Sequence, residues 1–121
     1  MSIKLMYLRK ITYYIAIICL AAFFQCNNTF AAIKTKPVIV NMYDKYFQPA
    51  TITISAGQTV VWINKGNIDH TVTSDNGYFD SGHIRPGGKT SYTFTKPGVF
   101  SYNCTMHSLL FLGMRGKVIV K

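Results

Sequence analysis

Residues 37–121 alternate apolar and polar side chains in short runs, and this pattern constrains the fold more than any other feature of the chain. The runs are rich in Val, Ile, Thr, Tyr and Phe, which suit a pleated, half-buried surface. They lie at 37–43, 50–56, 58–64, 70–74, 90–95, 98–103 and 117–121. Turn residues divide them, with Ala56-Gly57 separating two runs at hairpin distance. The pattern predicts an all-β, Greek-key β-sandwich with Trp62 in its core.

Residues 1–31 differ from the rest and have the three-part layout of a secretory signal peptide. Three basic residues are followed by an uncharged apolar run at 11–24 and then by small residues. We place cleavage after Ala31, which leaves residues 32–121 as one domain in the periplasm. An uncleaved, membrane-anchoring leader stays open, although the run is short of the roughly 20 residues that span a bilayer. The bulky residues before Cys26 disfavour a lipid attachment site there.

The predicted domain contains a single cysteine, Cys104, and therefore has no internal disulfide. A lone thiol in an oxidising compartment is prone to oxidation or cross-linking. Burial would protect it, and so would ligation to a metal ion, which would also stabilise a domain of this size. The domain has ten Lys and Arg against four Asp, a net charge of +6. The basic residues are dispersed, so the sequence does not predict nucleic-acid binding.

Cys104 lies at the end of a predicted strand, and three other possible metal ligands fall at similar places. His107 follows three residues later, Met114 precedes the last strand, and His70 begins an earlier one. Strand ends from distant parts of a sandwich meet at one pole, so these four side chains are predicted to converge. Two His, one Cys and a weak axial Met are the ligand set of blue-copper electron-transfer sites.

These residues and their flanks resemble the cupredoxins, most closely the amicyanin, pseudoazurin and plastocyanin group. The resemblance covers nearly all of residues 38–121 and is carried by FQPATITISAGQTVVWIN, HTVTS, FDSGHIRPGGKTSYTFTKPGVFSYNCTMH and MRGKVIV. It implies a cupredoxin-like sandwich that holds one copper ion in a type 1 site. In that site His70, Cys104 and His107 would be the equatorial ligands. Met114 would be the axial ligand.

The sequence departs from the family pattern at three places near these ligands. The segment between His107 and Met114 is longer than in amicyanins or plastocyanins, but extra loop residues cost little to close. Thr71 stands where the family often has Asn, so the side-chain tie between the ligand loops is expected to differ while a backbone N–H to the sulfur is retained. Met106 stands where Pro is common and is expected to pack rather than to ligate. His83 is expected at the surface.

Four consecutive apolar residues, Leu109–Leu112, follow His107, and not all of them can point into a core. In the family, the second copper-binding His emerges through an apolar patch that docks redox partners. We expect Leu109–Leu112 to enlarge such a patch, against which a cytochrome, a dehydrogenase or an oxidase would dock briefly. The positive charge favours an acidic partner surface or an anionic membrane face. The protein itself is expected to be a monomer.

The resemblance thus implies an extracytoplasmic type 1 copper protein that transfers single electrons. A copper-delivery module with the same ligands, and a fixed zinc site, remain alternatives. A cysteine enzyme with Cys104 as nucleophile and His107 as base is not predicted, because no orienting third group is evident. All of these metal sites require the imidazole of His70 to lie within reach of the Cys104 sulfur.

Overall fold

A computed structural model of the chain describes residues 2–25, 35–107 and 113–121. Its contacts divide the chain into two units, residues 1–34 and residues 35–121. The first contains helix α1, Ile3–Gln25. Among the described residues, no helix combines the length and the apolar character that crossing a bilayer would require. The helix coincides with the predicted leader, and its cleavage after Ala31 stays a prediction.

The second unit is built from short strands, as the alternating sequence predicts. One turn of 3-10 helix, Thr105–His107, follows the seventh strand. The strands are β1 Val38–Tyr43, β2 Tyr46–Gln48, β3 Thr51–Ile54, β4 Thr59–Asn64, β5 Thr73–Ser74, β6 Lys89–Thr93, β7 Gly98–Asn103 and β8 Arg115–Val120.

The eight described strands form two four-stranded sheets, in the orders β2-β1-β4-β6 and β3-β8-β7-β5. Each sheet contains one parallel pair: β1 lies beside β4, with Val40 opposite Trp62, and β3 lies beside β8, with Ile52 opposite Val118. The chain thus crosses repeatedly from one sheet to the other. The predicted all-β, Greek-key sandwich is confirmed, and it brings the C-terminal end of β7 and the N-terminal end of β8 together.

Three local predictions differ from the structure. The short strand β2 was not predicted, because only three residues separate the turn at Asp44-Lys45 from Pro49. The turn at Ala56-Gly57 joins strands of different sheets rather than a paired hairpin. His70 does not begin a continuous strand, since it forms an isolated bridge with Ile84 and β5 starts only at Thr73.

The interior between the sheets is apolar and strongly aromatic. Trp62 is fully buried, as predicted, and its ring packs edge-on against Tyr102 at a centroid distance of 5.4 Å. Phe47 packs against the same tyrosine, at 4.8 Å. Such aromatic pairs add to the stabilisation that buried area alone provides. Because Tyr102 lies two residues before Cys104, this core fixes the strand that carries the thiol.

Candidate metal centre

His70, Cys104 and His107 converge at one end of the sandwich, and their possible ligand atoms all lie within 4.8 Å of one another. The Sγ of Cys104 is 3.7 Å from Nδ1 of His70 and 3.3 Å from Nδ1 of His107. The predicted approach of His70 to the sulfur is therefore present. Both imidazoles turn the same nitrogen toward the thiol, although 34 residues separate His70 from Cys104.

The two sulfur–nitrogen distances fit a single small metal ion bound between these groups. With bond lengths of about 2.0 Å to imidazole nitrogen and about 2.3 Å to thiolate sulfur, neighbouring ligand atoms lie about 3.5 to 3.7 Å apart. The two observed sulfur–nitrogen distances are close to this range. The donor set is two imidazoles and one thiol, which suits copper or zinc better than magnesium or calcium.

His70 is positioned by the loop that follows β4. The buried side chain of Asn64 donates to the carbonyl oxygens of Ile68 and Ile84, both at 2.8 Å, and accepts from the N–H of Gly66 at 2.9 Å. His70 then exchanges two backbone hydrogen bonds with Ile84, at 3.1 and 2.8 Å. The loop between Asn64 and His70 is therefore fixed from within by one amide.

Cys104 is positioned by β7 and by the start of β8. Its N–H donates to the carbonyl of Met114 at 3.0 Å, and its own carbonyl accepts from the N–H of His107 at 3.2 Å. The second bond closes the 3-10 turn that directs His107 back toward the sulfur. The thiol is fully buried, while His107 is only half-buried. The cluster therefore reaches solvent through His107 and not through His70, which is fully buried.

Thr71 ties the two ligand loops together. Its N–H donates to the Sγ of Cys104 at 3.3 Å, as expected from the sequence. Its hydroxyl accepts from the N–H of Thr105 at 2.9 Å and lies 3.0 Å from the Thr105 hydroxyl. Thr73 extends the network, donating to the Thr71 hydroxyl or to Asp80 at 3.2 Å each. Two threonines thus provide the tie for which the family often uses Asn.

Asp44, in the turn between β1 and β2, approaches the far side of His70. Its Oδ1 lies 3.5 Å from Nε2 of His70. The same carboxylate accepts from the backbone N–H of Asn67 at 2.7 Å and from its side-chain amide at 3.3 Å. The backbone bond from Asn67 is the main cause that lowers the pKa of Asp44. The group is therefore a carboxylate at neutral pH.

Burial of His70 affects its protonation in the direction that favours metal binding. Desolvation is the main cause that lowers the pKa of His70, against the opposing effect of Asp44, and the charge of His107 lowers it further. A lowered pKa leaves more of the imidazole neutral, and the neutral form is the one that binds a metal ion. The two rings lie 5.1 Å apart between centroids.

Four further sequence predictions concern residues around the cluster. Met114 is buried, and its backbone is hydrogen-bonded to Cys104, so it lies beside the cluster. Met106 is 45% exposed, and its expected role in packing rather than ligation stays a prediction. The side chain of His83 is at the surface, as expected, near Asp69. The predicted patch at Leu109–Leu112 lies outside the described residues.

Three residues of the site were missed from the sequence: Asn64, Thr105 and Asp44. Thr105 stands between Cys104 and the second His of the motif, which makes it the nearest unused polar side chain. Asn64 ends a strand just before a Gly-containing loop, a place where side-chain amides commonly stabilise turns. Asp44 gave no signal, because 26 positions separate it from His70.

Comparison with known proteins agrees with the geometry. The model of a cupredoxin-like domain matches residues 14–120. A plastocyanin of Scenedesmus fuscus is 30% identical over 86 residues, covering 62% of this chain and 86% of the relative. A copper-resistant cuproprotein of Rubrivivax gelatinosus is 33% identical over 115 residues, covering 75% and 70%. A solved structure of an oxidised amicyanin variant is 27% identical with a TM-score of 0.62, covering 69% and 81%.

Proposed function

Because the chain belongs to the cupredoxin-like family, we propose that it is an extracytoplasmic blue-copper protein that carries single electrons between redox partners. The observation that carries this proposal is the convergence of two imidazole Nδ1 atoms on one buried thiol, at 3.3 and 3.7 Å. Homologues in this family bind one copper ion, and the donor set here fits it. A bound copper ion supplies the Cu(I)/Cu(II) couple.

The proposed ligands are His70, Cys104, His107 and Met114. The first three offer the equatorial nitrogen, sulfur and nitrogen atoms of a type 1 site. Met114 is assigned the weak axial position, supported by its burial and by the bond between its carbonyl and the N–H of Cys104. The Thr71 N–H stabilises negative charge on the sulfur, and hydrogen bonds to a ligating thiolate tune the potential of such sites.

The surrounding residues support electron transfer by holding the ligand loops rigid. Asn64 fixes the loop before His70, and the Thr71–Thr105 pair joins that loop to the one carrying Cys104. Preorganised ligands need little rearrangement when the charge at the site changes. The fold therefore suits a carrier that gains and loses electrons without a conformational step.

Electrons would pass through His107, the ligand nearest the solvent. We assign the docking surface to His107 together with Leu109–Leu112, as the sequence suggests. Exposed Met106 adds apolar area directly beside His107. A brief, small interface of this kind suits a redox protein that must release its partner after each transfer. The excess of basic residues would speed association with an acidic cytochrome, dehydrogenase or oxidase.

The experiment that tests the carrier role is voltammetry of the copper-loaded protein, combined with the rate of electron exchange between its reduced and oxidised forms. A carrier gives a reversible one-electron couple and fast exchange. Cys104→Ser should abolish the couple, whereas His83→Ala, at an exposed histidine of the same domain, should leave it unchanged. An irreversible response in the wild-type protein would contradict the proposal.

A second candidate function is copper binding or delivery without electron shuttling. The similarity to the copper-resistant cuproprotein favours it, since that name refers to resistance and not to electron transfer. Such a protein would release copper to a chelator within minutes and would exchange electrons slowly. A carrier would retain the ion under the same conditions. Metal analysis of protein from its native host separates both from a zinc protein.

A further inference from the structure

The feature that the proposed function leaves unexplained is the far side of the His70 ring. Nδ1 faces the Cys104 sulfur, so Nε2 must carry the proton when Nδ1 binds a metal ion. Nε2 is fully buried and has no hydrogen-bond partner within the described parts of the chain. A buried N–H without an acceptor is unfavourable, because it has lost its hydrogen bond to water and gained none in return. The geometry around this atom should therefore contain an acceptor.

The carboxylate of Asp44 stands close to this nitrogen and is of the right chemistry to accept from it. Its Oδ1 is 3.5 Å from Nε2, slightly beyond the ordinary upper limit of about 3.2 Å for a direct N–H···O bond. Hydrogen bonds at catalytic sites are often long in the unliganded protein and tighten on binding, and a metal ion that orients the His70 ring would shorten this contact in the same way. The side chain of Asp44 is 36% exposed, whereas that of His70 is fully buried. The carboxylate thus stands between the buried ring and the solvent.

The loop before His70 is shaped to admit this carboxylate. Asn67 donates to both oxygens of Asp44, which fixes the orientation of the group. Gly66 leaves the necessary space, because a Cβ at that position would overlap the Asp44 carboxylate and lie 3.0 Å from Nε2 of His70. Three separate features, a glycine, an amide and a turn aspartate, therefore converge on one imidazole nitrogen.

We propose that Asp44 is a positioning residue for the metal site. Its carboxylate accepts a hydrogen bond from the Nε2–H of His70 and so sets the tautomer and orientation of that ligand. The inference rests on the proposed copper site. A carboxylate behind a metal-bound histidine fixes the ring and raises its basicity. The negative charge also favours the more positive state of the ion, Cu(II), over Cu(I).

The test uses two variants of Asp44 and one matched control. Asp44→Ala removes the acceptor, and Asp44→Asn keeps its shape but removes the charge. Asp75→Asn makes the same change in net charge at a carboxylate whose partners are Asn103 and Arg115. Asp44→Ala should lower Cu(II) affinity 10- to 100-fold, as losses behind a metal ligand typically do. Asp44→Asn should raise the reduction potential more than Asp75→Asn.

A second readout follows the proton itself. In the Cu(I)-loaded protein, the Nε2–H of His70 should be visible by ¹⁵N NMR and protected from exchange with water. Asp44→Ala should lose that protection. Equal potentials for Asp44→Asn and Asp75→Asn, with unchanged protection, would overturn the inference. If wild-type protein binds copper without a thiolate charge-transfer band, the copper site fails instead, so the two failures are distinguishable.

Discussion

The backbone N–H of Thr71 donates to the sulfur of Cys104, 3.3 Å away. The hydroxyl of the same threonine accepts from the backbone N–H of Thr105, the residue that follows Cys104. One residue therefore contacts both the thiol and the loop that carries it. The two ligand-bearing segments, separated by 33 positions in the sequence, are joined through this contact.

Replacing Thr71 by Val keeps the backbone donor to the sulfur but removes the hydroxyl. The hydrogen bond from the N–H of Thr105 to this hydroxyl is then lost, and the free energy of unfolding of the copper-free protein should fall by about 0.5–1.5 kcal/mol. Chemical denaturation measures this change. Thr59→Val, which breaks an exposed pair with Thr93, is the control and should cost less. Equal effects at the two sites would contradict a special role for Thr71.

Among the polar residues outside the ligand set, Asn64 should lower stability and copper affinity most when it is replaced. Asn64→Ala removes three hydrogen bonds made by one buried side chain, so the free energy of unfolding should fall by about 2 kcal/mol or more. Copper affinity should also fall, because the loop before His70 loses the hydrogen bonds that hold it in place. Asn41→Ala, at a half-buried strand position, is the comparison. A copper affinity unchanged in Asn64→Ala would show that the loop does not depend on this amide.

Copper should stabilise the folded domain, because an ion held by distant residues binds the native state and not the unfolded chain. With free copper at 100 times the dissociation constant, the gain is about 2.7 kcal/mol. Calorimetry should show a higher Tm with copper than without it. His107→Ala should abolish the increase, whereas His83→Ala, at the exposed histidine, should preserve it. An increase that survives in His107→Ala would place the ion elsewhere.

The apolar segment after His107 can be tested without knowing the partner. Electron self-exchange requires two copies of the protein to meet through the proposed patch, so Leu110→Lys should slow it by placing like charges face to face. Line broadening in NMR of mixed oxidation states gives the rate. Val99→Lys makes the same change at an exposed residue near the opposite end of β7. Equal slowing by both variants would argue against a docking role for Leu109–Leu112.

The sequence predicted the sandwich and the ligand cluster because both depend on local patterns. Alternating apolar residues mark β1, β4 and β7 almost to the residue, and strand ends carry Cys104 and His107 by virtue of their position. The pairing of strands was less accessible. That β3 lies beside β8 rather than beside β4 depends on which apolar faces pack together, and alternation alone does not specify this.

The residues around the ligands were harder to predict than the ligands. The approach of Asp44 to His70 depends on the turn between β1 and β2, on a glycine that leaves space and on an amide that orients the carboxylate. Each of these has an ordinary role in a loop when read alone. The Thr71–Thr105 contact was missed for a related reason, since the family resemblance suggested only that the usual tie would change.

A copper ion bound by His70, Cys104 and His107 should be visible in the absorption spectrum of the Cu(II)-loaded protein, which is the decisive measurement for this site. We predict one equivalent of copper and an intense thiolate-to-copper charge-transfer band, which Cys104→Ser removes and His83→Ala leaves intact. A Cu(II) protein that shows only weak absorption, or whose band persists in Cys104→Ser, would contradict it.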